Sequence, residues 1–573
     1  MDPLTLLLLL IGLILAVIII IVLVRTFQYP IQTSESEPIA LTEIDGEEVA
    51  KHIGLAIQMK TINHVDPEKV DPVPFQGLQN LISMLYPEVE EYLEREVIGN
   101  YSLLYTWKGS DHNLDPIALT AHMDVVPARE DPDSGWIYPP FSGTVADGYV
   151  WGRGAIDCKG TMIGILEAVN FLLKVGFQPK RTVYLAFGED EEVSGVRGAA
   201  QIVKTLKERG VRLSFLLDEG GVISQGSVPG IDSPVGLVGV AEKGHLSLVL
   251  RSETAPGHAS APGEVTSIGA LALAIATLEN NPFPQDLDFV EFMMSFLADE
   301  LPFTQKMQLA NRWLFGKAVA KRFAATPITN ANTRTTIAPT VIKGGHTENV
   351  LPAVAEAMIN LRLMPGDTLV DVYKHVNELV GDDVVQVLPA HEESLYGDHS
   401  WDPTEVSDVE SPQFNILLDL IKATIPGAVA APYLMSGATD ARHYMQISDR
   451  VYRFSPFVLK SEDTDAIHGI NERLSFENAA RMVGFMIELI ERMSSIPTDF
   501  YGDEEEEEDF EDEEAERRAI RKMDEPLPTR PMRKPEVEEQ EILPEEDEVF
   551  IDDEFEPLPE DDEPLITKPL KEE

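Results

Sequence analysis

The sequence contains only one cysteine, Cys158, among its 573 residues. A single cysteine cannot form an intramolecular disulfide, and it gives no indication of the redox compartment. It also excludes a thiolate metal cluster. Any metal site in this chain must therefore use histidine and carboxylate ligands.

Basic residues are scarce as well. The chain has 45 Lys and Arg against 98 Asp and Glu, a net charge of −53. Because this charge opposes binding to a phosphate backbone, we expect no nucleic-acid partner. From Tyr501 onward there are 32 acidic against 9 basic residues, a net charge of −23, with many prolines and almost no apolar periodicity. This composition predicts a disordered acidic tail over 498–573, for which the sequence identifies no partner.

Charge is absent from one segment near the N-terminus, the 21 residues from Leu4 to Val24. As a helix this segment would span about 31 Å, which matches a bilayer core. A secretory signal peptide has a positive start and a small-residue cleavage site, and neither is present here. We therefore predict an uncleaved transmembrane anchor over 4–24 and a linker over 25–44. Arg25 is the only nearby basic side chain, so the side of the membrane that holds the rest of the chain stays open.

The centre of the chain alternates strand-like apolar runs with segments of helical period. This alternation predicts an α/β domain with a mostly parallel sheet. Three of the strand-like runs end in polar residues, and open α/β sheets place their sites at the carboxyl ends of strands. The strand-like runs are 115–124, 181–192 and 212–221, and the segments of helical period are 160–176 and 195–210.

The polar residues at these strand ends have the chemistry of a two-metal site. Two divalent ions that share a site need about three protein ligands each and a carboxylate that bridges them. His122 and Asp218 could bind one ion, Glu192 the other, and Asp157 could bridge them. A lone histidine is more often structural, and the carboxylate run 189–192 alone would fit a solvated loop. The joint pattern favours the metal site.

Four motifs in order resemble a known family, the co-catalytic zinc hydrolases that include aminoacylase, acetylornithine deacetylase and carboxypeptidase G2. They are AHMDVVP (121–127), GRGAIDCKG (152–160), GEDEEVSG (188–195) and LLDEGG (216–221). Three further motifs are similar to the branch of carboxypeptidase S and the N-fatty-acyl-amino-acid synthase/hydrolase. These are LANRWLF (309–315), NTRTTIAPTVIKGG (332–345) and VYRFSPF (451–457).

The resemblance implies roles for particular residues. It implies two Zn²⁺ per subunit, with Co²⁺ or Mn²⁺ as substitutes, one held by His122, Asp157 and Asp218 and the other by Glu192, Asp157 and His468. It makes Asp124 the carboxylate that orients His122, and Glu191 the general base that acts on a metal-bound water. It also implies a cis peptide bond between Asp157 and Cys158.

The resemblance also implies substrate-binding residues. His258 would stabilise developing oxyanion charge. Asn349 and Arg362 would hold the substrate, with Arg442 as a second candidate for its carboxylate, since a guanidinium offers two parallel hydrogen bonds. An arginine in an alternating strand, such as Arg362, is otherwise usually a surface charge.

The implied architecture is a catalytic domain in two parts, 45–243 and 391–497, with a two-layer α/β sandwich lid, 244–390, inserted between them. In the family such a lid often forms a homodimer. Residues 282–340 are a long insertion within the lid. Its many apolar residues could pack the lid's core or an interface, or they could line a pocket for a long apolar group.

These expectations define a membrane-anchored di-zinc hydrolase that cleaves the amide bond next to a free or C-terminal amino acid. Its substrates would be small peptides or N-acyl amino acids. The alternatives are a di- or tripeptidase or small-acyl deacylase with the same metal site, and an inactive membrane-anchored binding module. The synthetic direction uses the same chemistry and cannot be separated from hydrolysis by sequence.

Overall fold

The computed structural model describes residues 2–30, 39–226, 228, 230–381, 383–391 and 394–496. The predicted acidic tail over 498–573 lies outside the described residues, as does the linker segment 31–38. The linker residues that follow are placed against the protein: the backbone N–H of Ile39 donates to the carbonyl oxygen of Ala423 at 3.1 Å.

The helices and strands alternate along the central part of the chain, as the sequence predicts. The helices are α1 (Pro3–Phe27), α2 (Gly46–Ile57), α3 (Pro72–Leu85), α4 (Pro87–Tyr92), α5 (Lys159–Lys174), α6 (Ala199–Glu208), α7 (Ser267–Asn280), α8 (Asp288–Phe296), α9 (Phe303–Ala310), α10 (Arg312–Phe323), α11 (Pro327–Ala331), α12 (Leu369–Val380), α13 (Pro412–Thr424), α14 (Ala441–Tyr444), α15 (Ser461–Thr464) and α16 (Phe476–Ser495). The strands are β1 (Glu94–Ile98), β2 (Ser102–Trp107), β3 (Ile117–His122), β4 (Thr144–Ala146), β5 (Tyr149–Trp151), β6 (Val183–Gly188), β7 (Phe215–Gln225), β8 (Pro234–Glu242), β9 (Gly244–Glu253), β10 (Gly257–His258), β11 (Thr336–Gly344), β12 (Val350–Leu351), β13 (Val354–Leu363), β14 (Val385–Pro389), β15 (Val429–Met435), β16 (Val451–Leu459) and β17 (Arg473–Ser475).

Helix α1 contains the predicted apolar span 4–24 and extends it by one residue at the start and three at the end. Asp2 caps it, because its side chain accepts a hydrogen bond from the backbone N–H of Thr5 at 2.9 Å. Among the described residues this is the one helix long and apolar enough to cross a membrane. A signal sequence near the N-terminus can have the same length and apolar composition.

The main sheet has eight strands in the order β1-β2-β6-β3-β7-β16-β8-β15. The pairs β6–β3, β3–β7, β7–β16 and β8–β15 are parallel. The pairs β1–β2, β2–β6 and β16–β8 are antiparallel. The sheet is therefore mixed rather than mostly parallel, because antiparallel pairs flank its parallel centre.

Both faces of the main sheet are covered, so its central strands need apolar side chains on both faces. Strand β6 is an example. Val183, Leu185 and Phe187 point into a large core that α2, α5, α13 and α16 help to form. Tyr184 and Ala186 point to the opposite face, into a second cluster with α6 and α14. Side chains alternate between the faces of a strand, so a strand buried on both sides is apolar throughout.

A second sheet has the order β11-β13-β9-β14 and is antiparallel, with α7 and α12 packed on it around a core of its own. The sequence predicts strands at 245–252, 356–364 and 384–389 and helices at 266–280 and 369–380, and these elements are present as β9, β13, β14, α7 and α12. The sequence missed β11, which adds a strand at the edge. The boundaries between catalytic domain and lid stay a prediction.

The predicted insertion 282–340 folds mainly into helices α8 to α11. Val290, Met294 and Leu297 are buried in a cluster that contains Val235 of β8 and Ala431 of β15. The insertion therefore packs mainly against the edge of the main sheet, while Phe283 is buried in the core of the second sheet and Ile337 is partly buried against it. This result favours the packing interpretation of its apolar residues.

The core of the main sheet generates a stability prediction. Leu185 is fully buried at the centre of β6, so we expect Leu185→Ala to cost about 2–5 kcal/mol and to lower the Tm by several degrees. The matched change Leu273→Ala removes the same atoms from an exposed position on α7 and should cost less than about 0.5 kcal/mol. Thermal melting of both variants checks the expectation, and equal shifts would contradict it.

Candidate metal centre

Strand β6 ends at Gly188, and Glu189 to Glu192 follow it. Glu189, for which the sequence offers no role, is buried and satisfied by backbone donors. Its carboxylate accepts hydrogen bonds from the N–H groups of Tyr101 and of Ser102, the latter at 2.8 Å. Burial nevertheless raises the pKa of Glu189 to about 7. Its role is to join β6 to the start of β2.

Asp190 supports the turn itself. One carboxylate oxygen accepts from the N–H of Gly198 at 2.8 Å and the other from the N–H of Arg197 at 2.9 Å. These bonds close the loop that leads into α6 and fix the direction of Glu191 and Glu192. Two of the four adjacent carboxylates are thus used to build the turn, and the other two face the centre.

His122 ends β3, beside Gly188 of the parallel strand β6. Asp124, two residues later, is fully buried and lies 3.3 Å from the Nδ1 atom of His122. Its two oxygens also accept from the N–H groups of Glu191 and Glu192, both at 3.2 Å. One carboxylate therefore contacts both His122 and the turn, and the backbone carbonyl oxygen of Asp124 lies 3.0 Å from the same Nδ1 atom. The orienting role that the resemblance implies for Asp124 stays a prediction.

Asp157 lies between two histidines. Its Oδ1 atom is 2.8 Å from the Nε2 atom of His122, and its Oδ2 atom is 3.0 Å from the Nε2 atom of His468. Glu192 is 3.1 Å from the same nitrogen of His468. The peptide bond between Asp157 and Cys158 is cis, as the resemblance implies. The carboxylate of Asp157 thus has the position of a bridging ligand.

The structure places Glu219, not Asp218, at His122. The Oε1 atom of Glu219 is 3.1 Å from the Nε2 atom of His122, whereas Asp218 is buried near Thr120, with one oxygen lacking a described hydrogen bond. Strand β7 is irregular here, because its pairing with β16 passes from Asp218 directly to Gly221, and such a bulge redirects the side chain of Glu219. Glu219 is therefore a further candidate ligand beside His122, and Asp218 as a ligand stays a prediction.

Glu472 holds the loop that carries Asp157, and sequence reasoning gave it no role. It is fully buried and accepts from the N–H groups of Gly154 at 3.0 Å, Ile156 at 2.9 Å and Asp157 at 3.2 Å. It also accepts from the Nη1 atom of Arg153 at 2.6 Å. Its motif, AIHGINER, was the available signal, because it also contains His468.

The electrostatics of the centre reflect these contacts. Hydrogen bonds to Asp157 and Glu192 raise the pKa of His468 to about 10. Burial alone would raise the pKa of Asp157, but the hydrogen bonds from both histidines lower it overall. Burial raises the pKa of Glu219 to about 7, and the charge of Asp157 adds to the rise. Acidic side chains outnumber histidines at the centre, with Asp157, Glu191, Glu192 and Glu219 against His122 and His468.

The donor set fits divalent cations. Ligands about 2.0–2.1 Å from one tetrahedral ion lie about 3.3 Å from each other, close to the distances between the donor atoms around Asp157. Donor atoms of His122, Asp157 and Glu192 all lie within 4.8 Å of one another. Nitrogen and carboxylate donors suit zinc and related ions, and a cation would offset the excess of buried negative charge.

Glu191 faces the same centre. Its charge interacts with those of His122, Glu219 and Glu192. Removal from water raises the pKa of Glu191 well above its ordinary value, and the neighbouring carboxylates Glu219 and Asp440 add to the rise. A carboxyl group that holds its proton more tightly than usual suits a general base near neutral pH.

A group of cations lies near the centre, where β8 leads into β9. Arg362 on β13 pairs with His245 on β9, and the guanidinium of Arg442 stacks over the ring of Trp401 at 4.0 Å. Burial lowers the pKa of Arg362, and the charge of Arg442 lowers it further. Burial likewise lowers the pKa of Lys243 to about 7, with a further contribution from Arg362. Sequence reasoning identified the two arginines and missed Lys243 and His245.

His258 ends β10, and Asn349 directly precedes β12, the strand that pairs with β10. The N–H of Ala259 donates to the carbonyl oxygen of Asn349 at 3.0 Å, and the ring of His258 contacts the hydroxyl of Ser260 at 2.7 Å. Within the described residues, no contact joins His258 or Asn349 to the carboxylate centre. The structure brings these two residues together but not to the other predicted site residues.

Residues 118–492 match the family model of peptidase family M20/M25/M40. The match covers more than half of the chain. The chain belongs to peptidase family M20/M25/M40. Because this family is metal-dependent, the M20 chain is a hydrolytic metallopeptidase or amidohydrolase.

Named relatives match both branches that the motifs suggest. This M20 chain is 39% identical to an N-fatty-acyl-amino acid synthase/hydrolase of Xenopus tropicalis over 479 residues, which is 82% of this chain and 91% of the relative. It is 37% identical to a probable carboxypeptidase S-like protein of Dictyostelium discoideum over 455 residues, 79% of this chain and 86% of the relative. A crystal structure of an M20 metallo-carboxypeptidase from Sulfolobus solfataricus has the same fold, with a TM-score of 0.55 at 17% identity over 78% of this chain and 99% of that one.

The contact between Glu219 and His122 generates a prediction for this M20 peptidase. Glu219→Gln should lower metal affinity, because it replaces a carboxylate donor at His122 with a neutral amide. Asp218→Asn is the matched control in the neighbouring residue and should retain wild-type metal content. Metal analysis of the full chain after dialysis against a graded chelator buffer measures both. The opposite order, with Asp218→Asn losing metal and Glu219→Gln keeping it, would restore the sequence assignment.

Proposed function

We propose that this M20 chain is a membrane-anchored di-zinc hydrolase that cleaves the amide bond of a peptide or N-acyl amino acid next to a free carboxylate. The observation that carries the proposal is the position of Asp157, whose two oxygens contact His122 and His468 at 2.8 and 3.0 Å. A bridging carboxylate between two sets of donors is what a pair of metal ions requires.

The ligands in this proposal are His122, Asp157 and Glu219 for one ion, and His468, Asp157 and Glu192 for the other. Bound there, the ions would polarise the amide carbonyl and lower the pKa of a water molecule. Asp124 keeps the proton of the neutral His122 ring on the Nδ1 atom, because its carboxylate faces that atom. The lone pair of the Nε2 atom is then free to bind a metal ion. Glu472 keeps the Asp157 loop in place.

Glu191 is the general base. It accepts a proton from the attacking water and returns that proton to the amine nitrogen as the C–N bond breaks. Its placement follows from Asp124, which holds the N–H groups of Glu191 and Glu192 at equal distances. The same bonds therefore position a metal ligand and the base side by side.

The substrate carboxylate binds at the cations between the two sheets. Arg362 and Arg442 interact electrostatically, and Lys243 and His245 lie beside Arg362. Burial lowers the pKa of His245 to about 4, so its ring is neutral near pH 7 and the two guanidinium groups are the main charges. Buried like charges repel, so an anion between Arg362 and Arg442 gains free energy from both. His258 and Asn349 bind the scissile carbonyl in this proposal, once the second sheet brings them to the centre or a second subunit supplies them.

The names of the relatives support the substrate class. One is described as an N-fatty-acyl-amino acid synthase/hydrolase and one as a probable carboxypeptidase S-like protein. Both kinds of substrate present an amide next to a free carboxylate. A di- or tripeptidase or a small-acyl deacylase with the same centre is the second candidate, while the family and the retained base favour a hydrolase over an inactive binding module.

Membrane anchoring by α1 is supported by a buried polar contact at the end of that helix. The Nδ2 atom of Asn311 donates to the carbonyl oxygen of Val22 at 3.1 Å and to the hydroxyl of Thr26 at 3.2 Å. Asn311 and Thr26 are both buried there. The same nitrogen also donates to the carbonyl oxygen of Met307 at 2.9 Å. Cleavage after α1 would remove the other two acceptors from this buried amide, which favours a retained anchor over a signal peptide.

The proposed activity predicts chelator-sensitive hydrolysis. We expect the full chain in detergent micelles to hydrolyse N-acyl amino acids or dipeptides, to lose this activity with a chelator, and to regain it with Zn²⁺. Matched substrates whose C-terminal carboxylate is replaced by a carboxamide should bind poorly, because the cations at Arg362 and Arg442 lose their anion. A folded, zinc-loaded chain that hydrolyses no amide in a panel of long-acyl, short-acyl and dipeptide substrates would overturn the proposal.

The role of Glu191 as the base predicts that a change at this residue lowers turnover without affecting metal binding. Glu191→Gln should keep its metal content and Tm but lose most of kcat, because a positioned base contributes about 10²–10⁴-fold to the rate. Glu208→Gln, at the exposed end of α6, is the matched control and should behave as wild type. Wild-type turnover by Glu191→Gln would remove this residue as the base.

A further inference from the structure

The end of α1 is built into the insertion. Tyr29 is buried in the cluster formed with α8, α9 and α10, and its hydroxyl faces the carbonyl oxygen of Glu291 at 3.5 Å. Asn311, between α9 and α10, donates to Val22 and Thr26 of α1. The insertion therefore packs against one face of the last two turns of the helix that is proposed as the membrane anchor, the face that carries the buried residues Val22 and Thr26.

Four large apolar side chains remain exposed around this junction, and we name them the apolar patch: Phe27 (76% exposed), Phe303 (49%), Trp313 (54%) and Leu314 (49%). The rings of Phe27 and Phe303 are 6.0 Å apart. The indole N–H of Trp313 donates to the Oδ1 atom of Asn311 at 3.3 Å, so Trp313 is one hydrogen bond away from the contact with α1. The patch is continuous with the helix.

The same helices carry positive charge in a strongly acidic chain. Residues 303–323 contain five basic and no acidic side chains, whereas the whole chain has a net charge of −53. Lys317 and Lys321 follow Trp313 at intervals of four residues, so these three exposed side chains share one face of α10. Apolar rings next to basic side chains are typical of segments that lie at a lipid surface.

The contact between the end of α1 and the insertion lies at the depth of the lipid headgroups. The charge-free run from Leu4 to Val24 is about as long as the hydrocarbon core is thick, so the turn from Val22 to Thr26 lies where the headgroups begin. An element that contacts this turn is held at the same depth. We propose that α9 and α10 rest on the bilayer, with the apolar patch in the interface and Lys317 and Lys321 at anionic headgroups.

This inference rests on the membrane anchoring that is part of the proposed function, and it goes beyond anchoring by a single helix. A single span leaves a protein free to swing on its linker. A second contact through α9 and α10 fixes the main sheet relative to the membrane, because the same insertion packs on β8 and β15.

Depth-dependent quenching tests the contact in the full chain. The only native cysteine, Cys158, is fully buried, so an introduced cysteine can be labelled selectively with the fluorophore NBD. The variants are Leu314→Cys in the patch, Ile14→Cys within α1 and Val97→Cys on β1. Val97 is on the opposite edge of the eight-stranded sheet, about 34 Å from β15 at the usual strand spacing. Each is reconstituted in nanodiscs with phosphatidylcholine that carries a doxyl quencher.

We expect the labels at 14 and 314 to lose fluorescence in these nanodiscs and the label at 97 to keep it. Quenching at 14 without quenching at 314 would overturn the contact while the anchor stands. Absence of quenching at both would overturn the anchor and the contact together. An unquenched label at 314 in nanodiscs that hold two copies of the chain would assign the patch to a second copy instead.

The charge has its own measurement. Phosphatidylserine in the nanodisc should increase quenching at 314, and the double change Lys317→Glu and Lys321→Glu should abolish that increase. An increase that persists in the double variant would overturn the headgroup role of the lysines. Because neither lysine belongs to the metal centre, hydrolysis of a water-soluble short-acyl substrate should stay unchanged. A chain without hydrolase activity would refute the proposed catalysis, and the quenching pattern would still decide the contact.

Discussion

The contact on which the rest of the centre depends is the shared carboxylate of Asp157. Its two oxygens join His122, from the end of an early strand, to His468, from a loop near the end of the fold. Glu472 holds the loop of Asp157, and Asp124 ties His122 to the turn that carries Glu191. This concentration of carboxylates is unfavourable in a protein interior unless cations offset it, so the arrangement itself argues for bound metal.

The parallel centre of the main sheet explains why sequence reasoning reached this site at all. Strands β6, β3 and β7 are adjacent and parallel, so polar residues at their carboxyl ends must meet at one edge. Local patterns reveal such strand ends, because an apolar run stops where a charged residue begins. The structure accordingly brings His122, Glu192 and Glu219 to one centre, where Asp157 and His468 join them from loops elsewhere in the chain.

The residues that sequence reasoning missed depend on long-range register. Opposite β16, strand β7 is irregular: Asp218 faces Arg453 and the next paired residue is Gly221, which leaves Glu219 and Gly220 without partners. Such a bulge redirects a side chain, and a sequence with two adjacent acids does not show which one turns inward. Glu472 and Glu189 are likewise acceptors for backbone groups far away in the chain, so no local spacing reveals them.

The insertion shows a different limit on what amino-acid composition can predict. Its apolar residues are compatible with a core, an interface, a pocket or a lipid surface. Only the burial of each residue in the folded structure separates these alternatives.

Strand β8 connects the insertion to the region of the proposed substrate site. At its start, Val235 packs in the cluster that contains Tyr29, and at its end Glu242 accepts hydrogen bonds from Thr439 and Arg453 beside the cations. Since one strand spans both regions, an insertion that rests on the bilayer would also set the orientation of the substrate site relative to the membrane.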